Sequence, residues 1–350
     1  MRGDPVADPA EVGRILLVKL TSLGDVIHAT AAVAPIHRAF PRAEIAWAVD
    51  ERFADVPRHH PGVTRVIEGK RFRSDPLHEL RELGSATATL RREGVDLAID
   101  LQGTIRSAAW AYASGAPVKA GRGVFRPGWA RRVRPDLARH AVLVIAEILE
   151  SLGIAAPDPR PALHWPADTE EKVAGLLSGA GIGPGPFAVF NPFSRWASKE
   201  WPIPRFQELA RRFHRESGAP VIVTGSPAEA DRAAAFAAGA GPAGVIPMAG
   251  RLDLVDLFCL LGRARVMVSV DSGPMHAAAA VGTPVVALFG PTLAERTGPW
   301  GSGHIVLRAA TPDSHHAYRR KGAEELMARL GSDEVEAALL AKWKAGEARA

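Results

Sequence analysis

Short β-branched runs alternate with Ala- and Leu-rich stretches of helical spacing along most of this chain. In the first half, 14–18, 44–49, 64–67 and 96–100 read as strands, with helical patterning at 29–40 and 76–93. The pattern restarts beyond residue 166. There 187–190, 220–224, 265–270 and 284–289 read as strands, and 203–217, 228–238, 254–261 and 275–281 as helices. The last apolar stripe predicts a helix over 334–344, with Asp333 and Glu336 spaced as a capping box. Strands alternating with helices predict parallel, doubly wound sheets. Four prolines between Pro157 and Pro166 cannot continue a helix and mark a linker. Ligands of open α/β sheets sit at the carboxyl ends of the strands, so two such halves predict a cleft.

A chain of 350 residues suits two domains. Apolar residues at 47% and charged residues at 23% are an ordinary balance for a soluble protein. No apolar run approaches the ~18 residues of a membrane span. Residues 1–11 lack the apolar stretch of a signal peptide, so a cytoplasmic location is expected. The single cysteine, Cys259, excludes an intrachain disulfide and a Cys-based metal site, and its apolar neighbours predict a buried thiol. The net charge of +5 is uneven: Lys70 to Arg139 holds 14 basic and 7 acidic residues. Such an excess points to an anionic partner or to an ordinary solvated Arg-rich surface. Aromatic residues, at 6%, are too sparse for a nucleic-acid stacking platform, which leaves phosphorylated lipid or sugar.

Two strand-to-helix turns carry candidate chemistry. In Lys19-Leu20-Thr21-Ser22-Leu23-Gly24-Asp25-Val26-Ile27-His28, Gly24 permits a tight turn and Thr21 and Ser22 offer hydroxyls. Asp25 is either a helix cap or a general base. In Val270-Asp271-Ser272-Gly273-Pro274-Met275-His276, the helix amino terminus at Gly273 suits a diphosphate. There His276 is a candidate donor and Asp271 a candidate partner for a sugar hydroxyl, each with a purely structural alternative. A third loop, Asn191 to Pro202, offers Lys199 to balance a departing phosphate. Glu229, in Gly225-Ser226-Pro227-Ala228-Glu229, could accept hydrogen bonds from ribose or cap a helix. Other signals fail. The glycine-rich 179–185 precedes a strand and is no dinucleotide fingerprint, and there is no P-loop. The adjacent pairs His59-His60 and His315-His316 are poorly spaced for a metal, and no Asp-X-Asp triplet exists.

The motifs Lys-Leu-Thr-Ser-Leu-Gly-Asp-Val-Ile-His at 19–28, Ile-Asp-Leu-Gln-Gly at 99–103, Ser-Lys-Glu-Trp-Pro at 198–202 and Asp-Ser-Gly-Pro-Met-His at 271–276 together resemble glycosyltransferase family 9. These are the heptosyltransferases of lipopolysaccharide inner-core synthesis, and the first motif is most similar to the heptosyltransferase I branch. The resemblance spans residues 15–299 and implies a GT-B fold of two Rossmann-like domains facing across a cleft. Residues 1–165 would bind the acceptor and 166–315 the nucleotide sugar, with 316–350 packing back on the N-terminal domain. It implies inverting, metal-independent transfer of heptose from an ADP-activated donor to a Kdo-lipid A type acceptor, without a cofactor. Asp25 matches the catalytic base, and Ser194, Lys199, Glu229, Asp271, Ser272, Gly273 and His276 match donor-binding positions. The segment 194–198 departs from the usual family pattern. Thr21, Ser22, Gly24, Arg122, Arg126, Arg131 and Arg132 are expected to serve an anionic glycolipid acceptor or the inner face of the cytoplasmic membrane. Another nucleotide-sugar transferase, a sugar-nucleotide epimerase and a non-catalytic binding protein remain alternatives on the same fold.

Overall fold

The computed structural model describes residues 5–70, 84, 86–123, 127–241, 244–309, 317–320 and 322–347. The chain divides into two compact units at His164/Trp165, inside the proline-rich segment.

The first unit is built on a parallel sheet of six strands. These are β1 (Arg14–Val18), β2 (Glu44–Asp50), β3 (Arg65–Gly69), β4 (Leu97–Asp100), β5 (Val118–Arg122) and β6 (Arg131–Val133), in the order β3-β2-β1-β4-β5-β6. Its helices include α1 (Leu23–Ala29), α2 (Val33–Ala39), α3 (Ile105–Ala113) and α4 (Ala141–Ser151). Ile15, Leu16, Leu17 and Val18 are all fully buried, as a central strand covered on both faces requires. Strand order reverses between β1 and β4, where Val18 pairs with Asp100. The loops leaving these two strands therefore emerge side by side, at the switch point where doubly wound sheets bind ligands.

Helix formation starts six residues earlier than the sequence pattern suggested, at Leu23 instead of Ala29. Ser22 caps α1, and a 3-10 turn over Thr30–Ala32 joins α1 to α2. Half of the predicted 76–93 helix lies outside the described residues; 84 and 86–92 are helical. Strands β5 and β6 escaped prediction because they are short and carry Lys, Arg and Gly. Gly121 shows why one of those glycines is needed. Its φ is +127°, and a Cβ there would lie 2.3 Å from the Asp100 carbonyl oxygen.

The second unit repeats the plan. Its strands are β7 (Ala188–Asn191), β8 (Val221–Val223), β9 (Val245–Pro247), β10 (Val266–Val270), β11 (Val285–Phe289) and β12 (Ile305–Arg308). Their order, β12-β11-β10-β7-β8-β9, again reverses at one point, between β7 and β10. The helices include α5 (Asp168–Gly179), α6 (Ile203–Ser217), α7 (Ala230–Ala240), α8 (Leu254–Arg263), α9 (Gly273–Ala280) and α10 (Ser332–Glu347). Phe190, Trp201, Phe206, Phe213 and Phe236 form the aromatic part of the core.

Helix α10 closes the second unit: its Val335, Leu339 and Trp343 join the core of that unit. Trp343 stands edge-on to Phe213, with ring centroids 4.9 Å apart. The apolar stripe is thus satisfied by the sheet and by α6. The expected capping box is replaced. The helix begins at Ser332, and the carboxylates of Asp333 and Glu336 both accept from Arg212 of α6, at 2.8 and 3.0 Å. Cys259 is buried in α8, and burial pushes its thiol up to about 12, so it stays protonated.

Candidate active site

In the first unit the candidate chemistry sits where β1 and β4 end. Asp25 lies in the first turn of α1, behind the cap residue Ser22. Its Oδ2 accepts from the Ser22 N–H at 3.1 Å and from Ser22 Oγ at 2.8 Å. Lys19 Nζ lies 3.5 Å from Asp25 Oδ1; 8% of the lysine side chain and 46% of the aspartate side chain are exposed. Burial disfavours the charged form of Asp25. The Lys19 ammonium, the two Ser22 hydrogen bonds and His28 outweigh it and hold the carboxyl far below the usual carboxylate range. Asp25 therefore acts both as a capping acid and as an ionised, solvent-reachable carboxylate.

The β4 loop supports this turn. Buried Asp100 accepts from the N–H groups of Gln102 and Gly103 at 2.8 and 2.9 Å and from Ser107 Oγ at 2.8 Å. Gln102, so placed, accepts from the Leu20 N–H at 2.7 Å and donates to Thr21 Oγ1 at 3.2 Å. Thr21 is thus engaged with Gln102 and Ser22 with Asp25. Gly24 is buried in α1, and neither it nor Gly273 takes a left-handed conformation; both sit in first helical turns. The tight-turn role expected of Gly24 is therefore absent.

The predicted arginine group is spread out. Arg122 ends β5 and packs on Gly103, where a Cβ would come within 2.6 Å of Arg122 Cγ. Arg131 donates to the Ser151 carbonyl at 2.7 Å, which spends it on the end of α4. Arg132 is exposed on β6, and Arg126 lies outside the described residues. Sequence reasoning missed two other basic residues near the carboxyl ends of these strands. Arg52, after β2, grips buried Asp50 with two hydrogen bonds of 2.8 Å. Arg106, at the start of α3, donates to the carbonyl of Lys70, the residue after β3, at 3.1 Å. Their signal was positional: each follows a strand closely.

In the second unit the candidates gather where β7 and β10 end. Asn191 closes β7, donates to Ser272 Oγ at 3.0 Å and to the Phe193 carbonyl at 3.1 Å, and accepts from Thr224 Oγ1 at 3.3 Å. The Ser272 hydroxyl also lies 3.2 Å from Ser269 Oγ, so it is committed to the protein. Helix α9 starts directly afterwards, at Gly273 and Pro274, with His276 buried in its first turn. Lys199 donates to Asp271 Oδ2 at 2.7 Å, with 16% and 8% of the side chains exposed. Asp271 is thus the partner of Lys199, which the sequence did not anticipate.

The other face of Lys199 meets Tyr318, whose ring centroid is 4.8 Å from Nζ. The Tyr318 carbonyl accepts from Ser198 Oγ at 2.6 Å, tying the Lys199 loop to this distant segment. Tyr318 had no sequence signal, being more than a hundred residues away from the loop. The Ser194 N–H donates to Glu200 Oε1 at 2.9 Å, and Glu200 pairs with Arg232 at 2.5 Å. Glu229 Oε2 accepts from the Ser226 N–H at 2.7 Å and Oγ at 2.9 Å. Among the described residues no three His, Cys, Asp or Glu side chains converge as a metal-binding group. Nor is any described helix long and apolar enough to cross a membrane.

Comparison with known proteins bears on this geometry. The family model of glycosyltransferase family 9 (heptosyltransferase) matches residues 84–326. Lipopolysaccharide heptosyltransferase 1 of Pseudomonas aeruginosa is 35% identical over 85% of this chain and 84% of its own. The enzyme of that name in Escherichia coli K12 is 30% identical over 85% of this chain and 93% of its own. Among solved structures, E. coli heptosyltransferase WaaC with ADP superposes with a TM-score of 0.74 at 26% identity, covering 94% of this chain and 99% of that one. A glycosyltransferase family 9 structure from Veillonella parvula shares the fold, with a TM-score of 0.85 at 24% identity over 97% of this chain and 99% of that one. The chain therefore belongs to glycosyltransferase family 9, the heptosyltransferases, and is a glycosyltransferase.

Proposed function

We propose that the protein transfers a heptosyl group from ADP-heptose to a Kdo-lipid A type acceptor, inverting the anomeric centre, in the assembly of the lipopolysaccharide core. Relatives support this donor: the WaaC structures similar to this chain are solved with ADP and with ADP-2-deoxy-2-fluoro heptose. The observation that carries the mechanism is the ionised, half-exposed Asp25 carboxylate at the switch point of the first sheet. Asp25 accepts the proton of the acceptor hydroxyl as that oxygen bonds to the anomeric carbon. The bond from that carbon to the diphosphate breaks on the opposite side. One base suffices, and no covalent intermediate is needed, by analogy with inverting hydrolysis.

The second unit holds the nucleotide. The free N–H groups at the start of α9 receive the diphosphate, and Lys199 shares its ammonium between Asp271 and the departing charge. With the Ser272 hydroxyl committed to Asn191, Ser272 and Gly273 contribute through their N–H groups. His276, Ser194 and Glu229 complete the donor site, Glu229 offering Oε1 to ribose hydroxyls. Thr21, Ser22, Arg122, Arg126 and Arg132 serve the acceptor side, Arg122 and Arg132 meeting acidic groups on the glycolipid or the anionic inner face of the cytoplasmic membrane.

The test is ADP release from ADP-heptose in the presence of a Kdo-lipid acceptor, for the wild-type chain and Asp25→Asn. The substitution should remove nearly all turnover and leave ADP affinity unchanged. Turnover within about tenfold of wild type would contradict the base assignment.

A further inference from the structure

The two oxygens of the Asp25 carboxylate have different surroundings. Oδ2 already accepts twice from Ser22. Oδ1 faces the Lys19 ammonium at 3.5 Å, an ion-pair distance longer than an ordinary hydrogen bond. Lys19 is almost wholly buried and rigidly mounted. Its N–H donates to the Ala48 carbonyl at 3.2 Å, and its own carbonyl accepts from the Trp47 indole at 3.3 Å. The charged groups acting on Asp25 are Lys19, from the end of β1, and His28, one turn further along α1. Helix α4, which packs on α1, brings its cap residue His140 against His28, with ring centroids 5.4 Å apart.

Resting on the reading of Asp25 as the base, we propose that Lys19 is its positioning residue: the buried ammonium keeps the carboxylate ionised and turned so that Oδ1, and not the doubly bonded Oδ2, takes the acceptor's proton. In that step the acceptor O–H bond breaks, its proton moves to Oδ1, and its oxygen bonds to the anomeric carbon as the diphosphate leaves. Lys19 neither gives nor takes a proton. The arrangement trades basicity for readiness. A carboxylate beside a buried cation is a weaker base, but it stays charged and oriented at any pH the cell meets.

The pH profile of kcat/KM tests this with Lys19→Met, Lys19→Gln and Lys19→Arg. The wild-type chain should show no acid limb in the ordinary carboxylate range. The two neutral variants should acquire one there, and lose about tenfold or more in kcat, with ADP affinity unchanged. Lys19→Arg should restore the wild-type profile. An acid limb that does not move in a folded neutral variant would overturn the proposal. Should neither neutral variant fold, carboxyl-carbon NMR of the wild-type chain decides, with the Asp25 resonance assigned by its loss in Asp25→Asn. A resonance that stays ionised through the ordinary carboxylate range supports the proposal, and one that titrates within it overturns it. Turnover retained in Asp25→Asn would instead sink the base reading itself.

Discussion

Asp25 and Glu229 are held by the same local device: a serine three residues earlier gives both its N–H and its hydroxyl to one carboxylate oxygen. Their difference lies in what faces the second oxygen, a buried lysine in the case of Asp25. The depressed Asp25 pKa has a consequence for stability. The contribution of its charged form is fully present above the ordinary carboxylate range and is lost as pH falls through that range toward the lower folded value. Asp25→Asn should therefore destabilise the chain at neutral pH, and the gap to wild type should shrink in acid. Denaturant melts at several pH values check this, and a gap that widens on acidification would contradict it. At the proposed donor site, Lys199→Ala removes a charge-assisted contact and should weaken ADP affinity by about 10- to 100-fold, read by titration calorimetry. Asp25 and Lys199 were legible as candidates because each lies on a connection that leaves a strand end, Asp25 in the first turn of α1 and Lys199 in a 3-10 turn, with a residue type suited to the proposed chemistry. Lys19, Gln102 and Tyr318 were not, because their roles arise from contacts that spacing along the chain does not encode.

At the scale of elements, the strongly patterned pieces were readable. The limits of β1 and α6 match their apolar periodicity residue for residue. The short strands β5, β6, β9 and β12 were not, since three to five residues carry too little pattern of their own and form only by pairing with a neighbour. Gly121 marks such a dependence. Gly121→Ala forces a Cβ into the Asp100 backbone at a positive φ and should cost more than about 1 kcal/mol. Because Asp100 orders the Gln102 loop, the same variant should lower turnover, and an unchanged melting temperature would contradict this account. The second unit has its own dependence on α10. Trp343→Ala empties a core position against Phe213 and should cost roughly 3–5 kcal/mol by thermal or denaturant unfolding.

At the scale of the whole molecule, two copies of one doubly wound plan have been given different chemistry at equivalent switch points. The first carries an ionised carboxylate and a basic strand-end edge; the second carries a helix terminus and a lysine. Charge reversal at Arg122 should raise the acceptor KM and leave ADP affinity unchanged, and a reversal that spares the KM would remove Arg122 from the acceptor site. Near the boundary of the first unit, burial, His164 and His37 push His60 down to about 4 from the ordinary 6.5. His60 folds neutral, so the unfolded chain takes up its proton first, and stability should fall as pH drops from 6.5 toward 4. His60→Gln should flatten that part of the profile. The central claim is the reaction itself. Mass spectrometry of a Kdo-lipid acceptor incubated with ADP-heptose should show one added heptosyl group with the wild-type chain and none with Asp25→Asn. An unmodified acceptor with the folded wild-type chain, or equal product from the variant, would contradict it.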